Sequence, residues 1–418
     1  MIENGRVKIY VKRNLEDKIE KLMDAPEIIA IFGARQVGKT TLMRKIFEKI
    51  VGRKIFLDFE DPEMVGLFDE DIKAFSKLYV ENYEFIFIDE FQHSQTGGKG
   101  LKYIYDTFKK KIFISGSSSL ELTVKLASAL VGRIFILELY PLSLEEFILF
   151  RTPEMYYMAI SYLEKQKEVP THLHKQLLRE LDEFLVYGGF PRVAIEKTLD
   201  LRKEILKNLY ITYLIKDIKE FFRLSSEYSF QKLIKLLSLQ VGSLVNYSEL
   251  SRTAALSLNE VKRNISVLEE TYIVRLSRPY FTNKRTEVVK NPKIYFIDNG
   301  LRNYIIQDFR EPLIRPDIGQ IVENFVATEI VKSGKELKFW RSKSKAEVDF
   351  IIESLRYPIP VEVKSGIAKS PGKSLISFVS KYGPKKAFVL HRGNYSRRTI
   401  NGTEILFMPL YAVNLIFR

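Results

Sequence analysis

The chain has 418 residues, of which 46% are hydrophobic and 28% charged, a globular composition spread over more length than one hydrophobic core organises, so about two to four domains are expected. It holds no cysteine and four scattered histidines, which excludes disulfides, thiolate nucleophiles and cysteine-ligated zinc and leaves carboxylates as the ligands for any metal. The net charge is +14, and residues 333–418 carry 16 Lys and Arg against 6 Asp and Glu, or +10 of that total. A basic end points to a polyanion such as DNA, while a Lys-rich, Cys-free surface is also what heat adaptation favours.

No uninterrupted apolar run approaches the ~20 residues that cross a bilayer, and MIENGRVKIYVKRNLEDK lacks the apolar stretch and small-residue cleavage site of a secretory leader. A cytoplasmic protein without membrane contact is the expectation. From residue 27 to 139, short Ile- and Phe-rich runs alternate with helix-like stretches, which predicts a parallel sheet with crossover helices. The strands are EIIAIF, RKIFLDF, YEFIFID, KKIFIS and RIFILEL.

The first strand runs into Gly33-Ala34-Arg35-Gln36-Val37-Gly38-Lys39-Thr40 and then the helix TTLMRKIFEKI. That order of strand, glycine-bounded loop, Lys-Thr and helix is a phosphate-binding loop. Glycine lets backbone N–H groups turn toward the β- and γ-phosphates of a nucleotide, which then sit at the positive end of the helix. These eight residues and Thr41 are expected to bind ATP, with Lys39 bridging the phosphates and Thr40 offering its hydroxyl to Mg²⁺. The run Phe85-Ile86-Phe87-Ile88 ends in Asp89 and Glu90. Asp89 is assigned to the Mg²⁺ shell and Glu90 to the base that polarises the attacking water, a pairing that favours hydrolysis over nucleotide sensing.

KKIFIS continues into Gly116-Ser117-Ser118-Ser119, where either the Ser117 hydroxyl reaches the γ-phosphate or attacking water, or the cluster caps a helix. Gly132-Arg133 precedes the last strand, so Arg133 is either an arginine finger offered to a neighbouring subunit in a ring or a cation closing a helix C-terminus.

Residues 141 to about 223 read as helices, with Leu, Tyr and Phe at three- and four-residue spacing and one break at Gly188-Gly189-Phe190-Pro191. This is a helical lid. Residues 225–300 then read as helix, turn, helix, helix and a hairpin with the basic tip TNKRTEVVKNPK, the order of a winged helix. Lys262 and Arg263 on the second helix of the pair, and Lys284 and Arg285 at the tip, are the DNA candidates, with Arg275, Arg278, Lys290 and Lys293 around them. They suit phosphates, not bases; a winged helix that serves as a rigid lid or protein contact is the competing reading.

In the last stretch Glu323 lies on the helix IVENFVATEIVKSG, Asp349 in EVDFII, and Glu362 and Lys364 in PVEVKS. Residues two apart on a strand share a face, and a hairpin turning between Leu355 and Arg356 sets Asp349 opposite Glu362. Converging carboxylates repel unless a divalent cation joins them. Asp349, Glu362 and the Val363 carbonyl, supported by Glu323, are therefore expected to bind Mg²⁺ or Mn²⁺, with Lys364 positioning or deprotonating a water.

GARQVGKTTL, FIDEFQ, ISGSSSLEL, LVGRIFILELYPLSLEEF and YGGFPR resemble archaeal and bacterial AAA-type ATPases that carry a C-terminal restriction-endonuclease-like domain, over nearly the whole chain. The resemblance implies an α/β multidomain protein: an AAA-type ATPase core over 1–140, a helical lid over 141–224, a winged helix over 225–300, and a nuclease-like domain of the PD-(D/E)xK kind over 301–418. Val348 stands where that motif usually has proline. Related ATPases with a Gly-x-Pro in the lid set the proline against adenine, here Pro191, with Arg192 then near the γ-phosphate. A homo-oligomer, in such ATPases a hexameric ring, is also implied. The expected function is a Mg²⁺-dependent ATPase that binds and remodels or translocates DNA, branched DNA included, and cleaves it or merely grips it with the C-terminal domain. A nucleotide-gated switch that binds protein partners in defence or signalling is the alternative.

Overall fold

The computed structural model describes residues 10–117, 126, 128–217, 226–281, 287, 290–354 and 357–417, and the backbone of residues 2–3 and 6–7. The chain divides into two compact units, Met1–Tyr140 with Glu270–Tyr272, and Pro141–Glu269 with Ile273–Arg418.

In the first unit the five apolar runs form the strands β1 (Ile28–Gly33), β2 (Lys54–Asp58), β3 (Phe85–Asp89), β4 (Lys111–Ser117) and β5 (Ile134–Glu138). They pair in parallel in the order β2-β3-β4-β1-β5. Side chains alternate across a strand, and both faces of the central strands β1, β3 and β4 are buried, which is why those runs show no polar alternation. One face carries Phe56, Phe87 and Phe113 as direct cross-strand neighbours, with Phe87 and Phe113 stacked at 4.3 Å. Phe47 stands edge-on to Phe56 and Phe87, at 5.8 and 5.3 Å, from α2 (Lys39–Lys49). The other face carries Ile86, Ile88, Ile112 and Ile114, all fully buried. The remaining helices of the unit are α1 (Asn14–Lys21), α3 (Pro62–Glu70), α4 (Ile72–Tyr79) and α5 (Gly97–Phe108).

The second unit opens with α6 (Leu144–Arg151), α7 (Pro153–Glu164), α8 (Thr171–Tyr187), α9 (Pro191–Ile195), α10 (Leu199–Asn208) and a π-helix at Leu209–Asp217. Then come α11 (Glu227–Leu239), α12 (Tyr247–Ala254), α13 (Leu258–Glu270) and the antiparallel strands β6 (Val274–Pro279) and β7 (Lys293–Phe296). Next are α14 (Asn299–Ile306) and α15 (Ile318–Lys332), then β8 (Lys338–Arg341) and β9 (Glu347–Val348). Strand β8 pairs with β6, so a four-stranded sheet β9-β8-β6-β7 crosses the border expected at residue 300.

A second sheet has the order β10-β11-β12-β14-β13, from Phe350–Ile352, Ile359–Val363, Lys386–His391, Thr403–Pro409 and Ser396–Ile400. Trp340, Val348 and Ile351 share one core with Phe378 and Val379 of α16 (Lys373–Tyr382). The β10–β11 hairpin pairs Phe350 with Val361, Ile351 with Pro360 and Ile352 with Ile359, so Asp349 is next in line opposite Glu362. Its turn at 355–356 lies outside the described residues. Among the described residues no helix is long and apolar enough to cross a membrane.

The helical break at residues 188–191 is a joint between α8 and α14. Gly188 takes φ +75°, and a Cβ there would meet Asp298 Oδ1 at 2.2 Å. Asp298 accepts the Gly189 N–H at 2.7 Å and caps α14 through the Leu301 N–H at 2.9 Å, so one buried carboxylate satisfies the amides of two chain segments.

Candidate functional site

The phosphate loop is shaped by its neighbours before any ligand is considered. The Leu139 N–H donates to the Phe32 carbonyl at 2.7 Å, bringing the chain so close that a Cβ on Gly33 would sit 2.0 Å from the Leu139 carbonyl oxygen. Only glycine fits there. Gly38 has φ +97° and is the N-cap of α2, with no side chain capping it. The first amides of the helix are thus left to a ligand, as an anion site requires. Lys39, the first residue of α2, is 5% exposed, and its Nζ donates to the Gly33 and Ala34 carbonyls, each at 3.0 Å. Burial is the main influence on its amine, lowering it to about 8 against the opposing pull of Glu90 and Asp89. Val37 is buried, Thr40 half-buried, and Arg35, Gln36 and Thr41 exposed.

The register of the sheet brings the acidic pair to the same end. Gly33 pairs with Ser117 and Ile31 with Ser115 across β1 and β4, while Ile88 pairs with Ile114 across β3 and β4. Asp89, 2% exposed, accepts the Ser115 hydroxyl and the Glu90 N–H, the latter at 3.2 Å. Glu90 takes a left-handed backbone (φ +51°) that turns the chain out of β3. Its carboxylate accepts from the Gln92 side-chain amide, whose oxygen accepts the Ser117 N–H at 3.2 Å. Gln92 therefore ties Glu90 to the end of β4. Ser118 and Ser119 lie outside the described residues.

Three residues of this site had no role in the sequence reading. Ser115 was signalled by parity, since it is a polar residue in an apolar run, two before Ser117. Gln92 stood inside FIDEFQ, but only the sheet order makes it a bridge. Arg13 carried no local signal: 5% exposed, it donates to the Val37 carbonyl at 2.8 Å and to the Tyr140 carbonyl at 2.6 Å, bracing the loop against the end of β5.

Arg133 is engaged within its own chain. Its Nε lies 2.9 Å from Asp106 Oδ1, Nη1 donates to the Val131 carbonyl at 3.3 Å, and its guanidinium is 6.0 Å from the Tyr105 ring. The side chain is 33% exposed. Pro191 and Arg192 open α9 in the second unit, and Arg192 pairs with Glu196 at 3.4 Å.

On α13, Lys262 and Arg263 are exposed, and Lys262 Nζ lies 5.9 Å from the Tyr247 ring. Lys284 and Arg285 lie outside the described residues. Lys293 corrects one expectation: far from facing a phosphate, it is buried, with Nζ 2.6 Å from Glu347 Oε1 and 3.1 Å from Glu323 Oε1. Burial works to lower its amine, but Glu323 and Glu347 outweigh it and hold the amine above its ordinary value.

The C-terminal carboxylates are close enough to influence one another yet have separate partners. Burial and the neighbouring Glu323 push Asp349 up to about 7, although Asp349 accepts the Val363 N–H at 2.7 Å. Glu362 pairs with Lys364 at 2.8 Å and accepts the Gly372 N–H at 2.8 Å. Glu323 accepts the Tyr295 hydroxyl at 2.5 Å as well as Lys293. Among the described residues no group of three or more Asp, Glu or His is arranged to hold a metal ion. Ammonium, hydroxyl and amide donors engage Glu323 Oε1, Asp349 Oδ2 and both oxygens of Glu362.

Comparison with known proteins divides the chain in three. Residues 25–148 match a family described as an AAA domain, residues 178–311 a domain of unknown function (DUF8612), and residues 318–411 another (DUF4143). An uncharacterized protein of Methanocaldococcus jannaschii, MJ1544, is 27% identical over 342 residues, covering 78% of this chain and 72% of that one. An uncharacterized protein of Haemophilus influenzae is 24% identical over 415 residues, covering 95% and 97%. Among solved structures, the Walker-type ATPase PABY2304 of Pyrococcus abyssi aligns with TM-score 0.40 at 16% identity, covering 71% of this chain and 96% of that one. The Aeropyrum pernix ORC1 protein, solved in complex with DNA, aligns with TM-score 0.31 at 15% identity, covering 73% and 94%. The segment at 25–148 that matches the AAA domain family contains the phosphate loop and the Asp89–Glu90 pair.

Proposed function

We propose that the chain is a Mg²⁺-dependent ATP hydrolase that binds DNA and moves or remodels it. The observation that carries the reading is the convergence at one end of the sheet of Lys39, Asp89 and Glu90, with Gln92 linking Glu90 to Ser117. The residues fit a metal–nucleotide pair. The α2 amides and Lys39 would hold the phosphates, the Thr40 hydroxyl and Asp89 would face the metal, and Ser115 keeps Asp89 in place. Bound Mg²⁺ supplies neutralisation of phosphate charge. Lys39 exchanges two neutral carbonyls for the phosphate oxygens, a trade that favours its charged form. Glu90 orients a water and accepts its proton, and Gln92 sets the angle of that carboxylate.

The DNA half of the reading rests on the exposed Lys262 and Arg263 of α13, backed by the +14 net charge. Such contacts are to phosphates and independent of base sequence. In a homo-oligomer, Arg133 would leave Asp106 for the nucleotide of a neighbour. The C-terminal module serves to grip, in keeping with the separate partners of its carboxylates.

The test is phosphate release with and without linear, single-stranded and four-way DNA, for wild type, Lys39→Ala and the pair Lys262→Glu with Arg263→Glu. Salt-sensitive stimulation by DNA that the charge reversal removes supports the reading. No stimulation by any of these DNAs, together with ADP that stays bound through purification, would replace it with a nucleotide-gated switch acting on protein partners.

A further inference from the structure

Strand β7 carries two polar side chains that point the same way. Lys293 and Tyr295 are two apart, so they share a face, and both are buried and reach the same atom, Glu323 Oε1, at 3.1 and 2.5 Å. Lys293 also contacts Glu347 Oε1 at 2.6 Å, and its Nζ lies 5.4 Å from the Phe339 ring. Glu347 is further faced by Arg341, with Nε 3.6 Å from Oε2. Beyond them stand Asp349, held by the Val363 N–H, and Glu362, held by Lys364 and the Gly372 N–H. The ammonium thus joins the helix α15 carboxylate to the β9 carboxylate, the job a divalent cation would have in this place.

The two cations exclude each other. Mg²⁺ and Mn²⁺ require several oxygens at about 2.0–2.2 Å in near-octahedral array, whereas Glu323 and Glu347 are set at hydrogen-bond distance from the nitrogen of a lysine whose side chain is 4% exposed. A metal entering would leave the Lys293 ammonium buried against it, which like-charge repulsion and lost solvation both oppose.

We infer that Lys293 is the resident cation of this cluster, and that Glu323 and Glu347 form a lysine-locked joint between β7, α15 and β9, beside Asp349, in place of a catalytic metal centre. This inference is independent of whether the chain binds DNA.

The experiment is Mn²⁺ uptake by the nucleotide-free full chain, read by electron paramagnetic resonance, with thermal unfolding in EDTA and in Mn²⁺, on wild type, Asp349→Asn, Lys293→Met and the double variant. Wild type and Asp349→Asn take up Mn²⁺ identically. Lys293→Met unfolds at lower temperature in EDTA and is restored by Mn²⁺, and the double variant is not restored. A wild-type Mn²⁺ site that Asp349→Asn abolishes overturns the inference, as does Lys293→Met with the wild-type melting temperature. If Lys293→Met does not fold, the comparison of wild type with Asp349→Asn decides alone.

Discussion

Two lysine–carboxylate constellations at strand ends behave oppositely in this molecule. At the phosphate loop, Lys39 hydrogen-bonds to neutral carbonyls, while Asp89 and Glu90 act on it only through space. In the C-terminal module, Lys293 touches Glu323 and Glu347 directly, and Lys364 touches Glu362. The first arrangement leaves positive charge and helix amides for an anion; the second has spent its charges on itself. Residue types are alike, so what separates a site from a joint is whether the fold has already neutralised it.

The comparison is sharpened most by kinetics at the first constellation. Lys39→Ala should cut ATP hydrolysis by about 10²–10³-fold or more, and Glu90→Gln by about 10²–10⁴-fold with ATP binding kept; steady-state phosphate release and nucleotide binding check both. A Glu90→Gln enzyme at wild-type rate would remove Glu90 from the chemistry. At the second constellation the effect should be on stability. Lys293→Met strips the counter-charge from two carboxylates and should cost about 3–5 kcal/mol in chemical denaturation, with the nucleotide-binding affinity unchanged. A cost below about 1 kcal/mol, the surface-pair range, would break the contrast.

A smaller effect is expected at Gln92, which touches Glu90 and the β4 end but lies outside the phosphate loop. Gln92→Leu should lower kcat about tenfold with KM unmoved, since it disturbs the angle of Glu90 and not nucleotide contact. Equal losses in affinity would instead make it part of the nucleotide pocket. The smallest is a pH effect. The Lys39 amine is held at about 8 by burial, and phosphates would raise it. Its contribution to ATP affinity is then full below pH 8 and declines as pH rises through the bound value. Titrating ATP binding from pH 7 to pH 10, with Lys39→Ala as the control lacking the slope, tests this.

The legible parts of the molecule were those whose physics is local. The central strands of the first sheet were short apolar runs because both their faces are buried, and the phosphate loop announced itself by strand, glycines, Lys39 and helix. The β10–β11 register also followed from period-two alternation together with a hairpin turn placed between Leu355 and Arg356. Long-range partners were not legible. Ser115 meets Asp89 only because β4 is inserted between β1 and β3, and Arg13 finds Val37 and Tyr140 by the same folding. Lys293 read as one more cation in a basic hairpin, since its partners are 30 and 54 positions away, at Glu323 and Glu347.

By itself the sequence determined the element types and the phosphate loop, because apolar periodicity and glycine conformation act over a few neighbouring residues. Tertiary structure alone decided strand order, the sharing of one sheet by β6 and β8 across residue 300, and which charges were consumed internally. The reason is electrostatic: the behaviour of a buried charge is set by the atoms within a few ångströms of it, and the fold, not the neighbouring sequence, supplies those atoms.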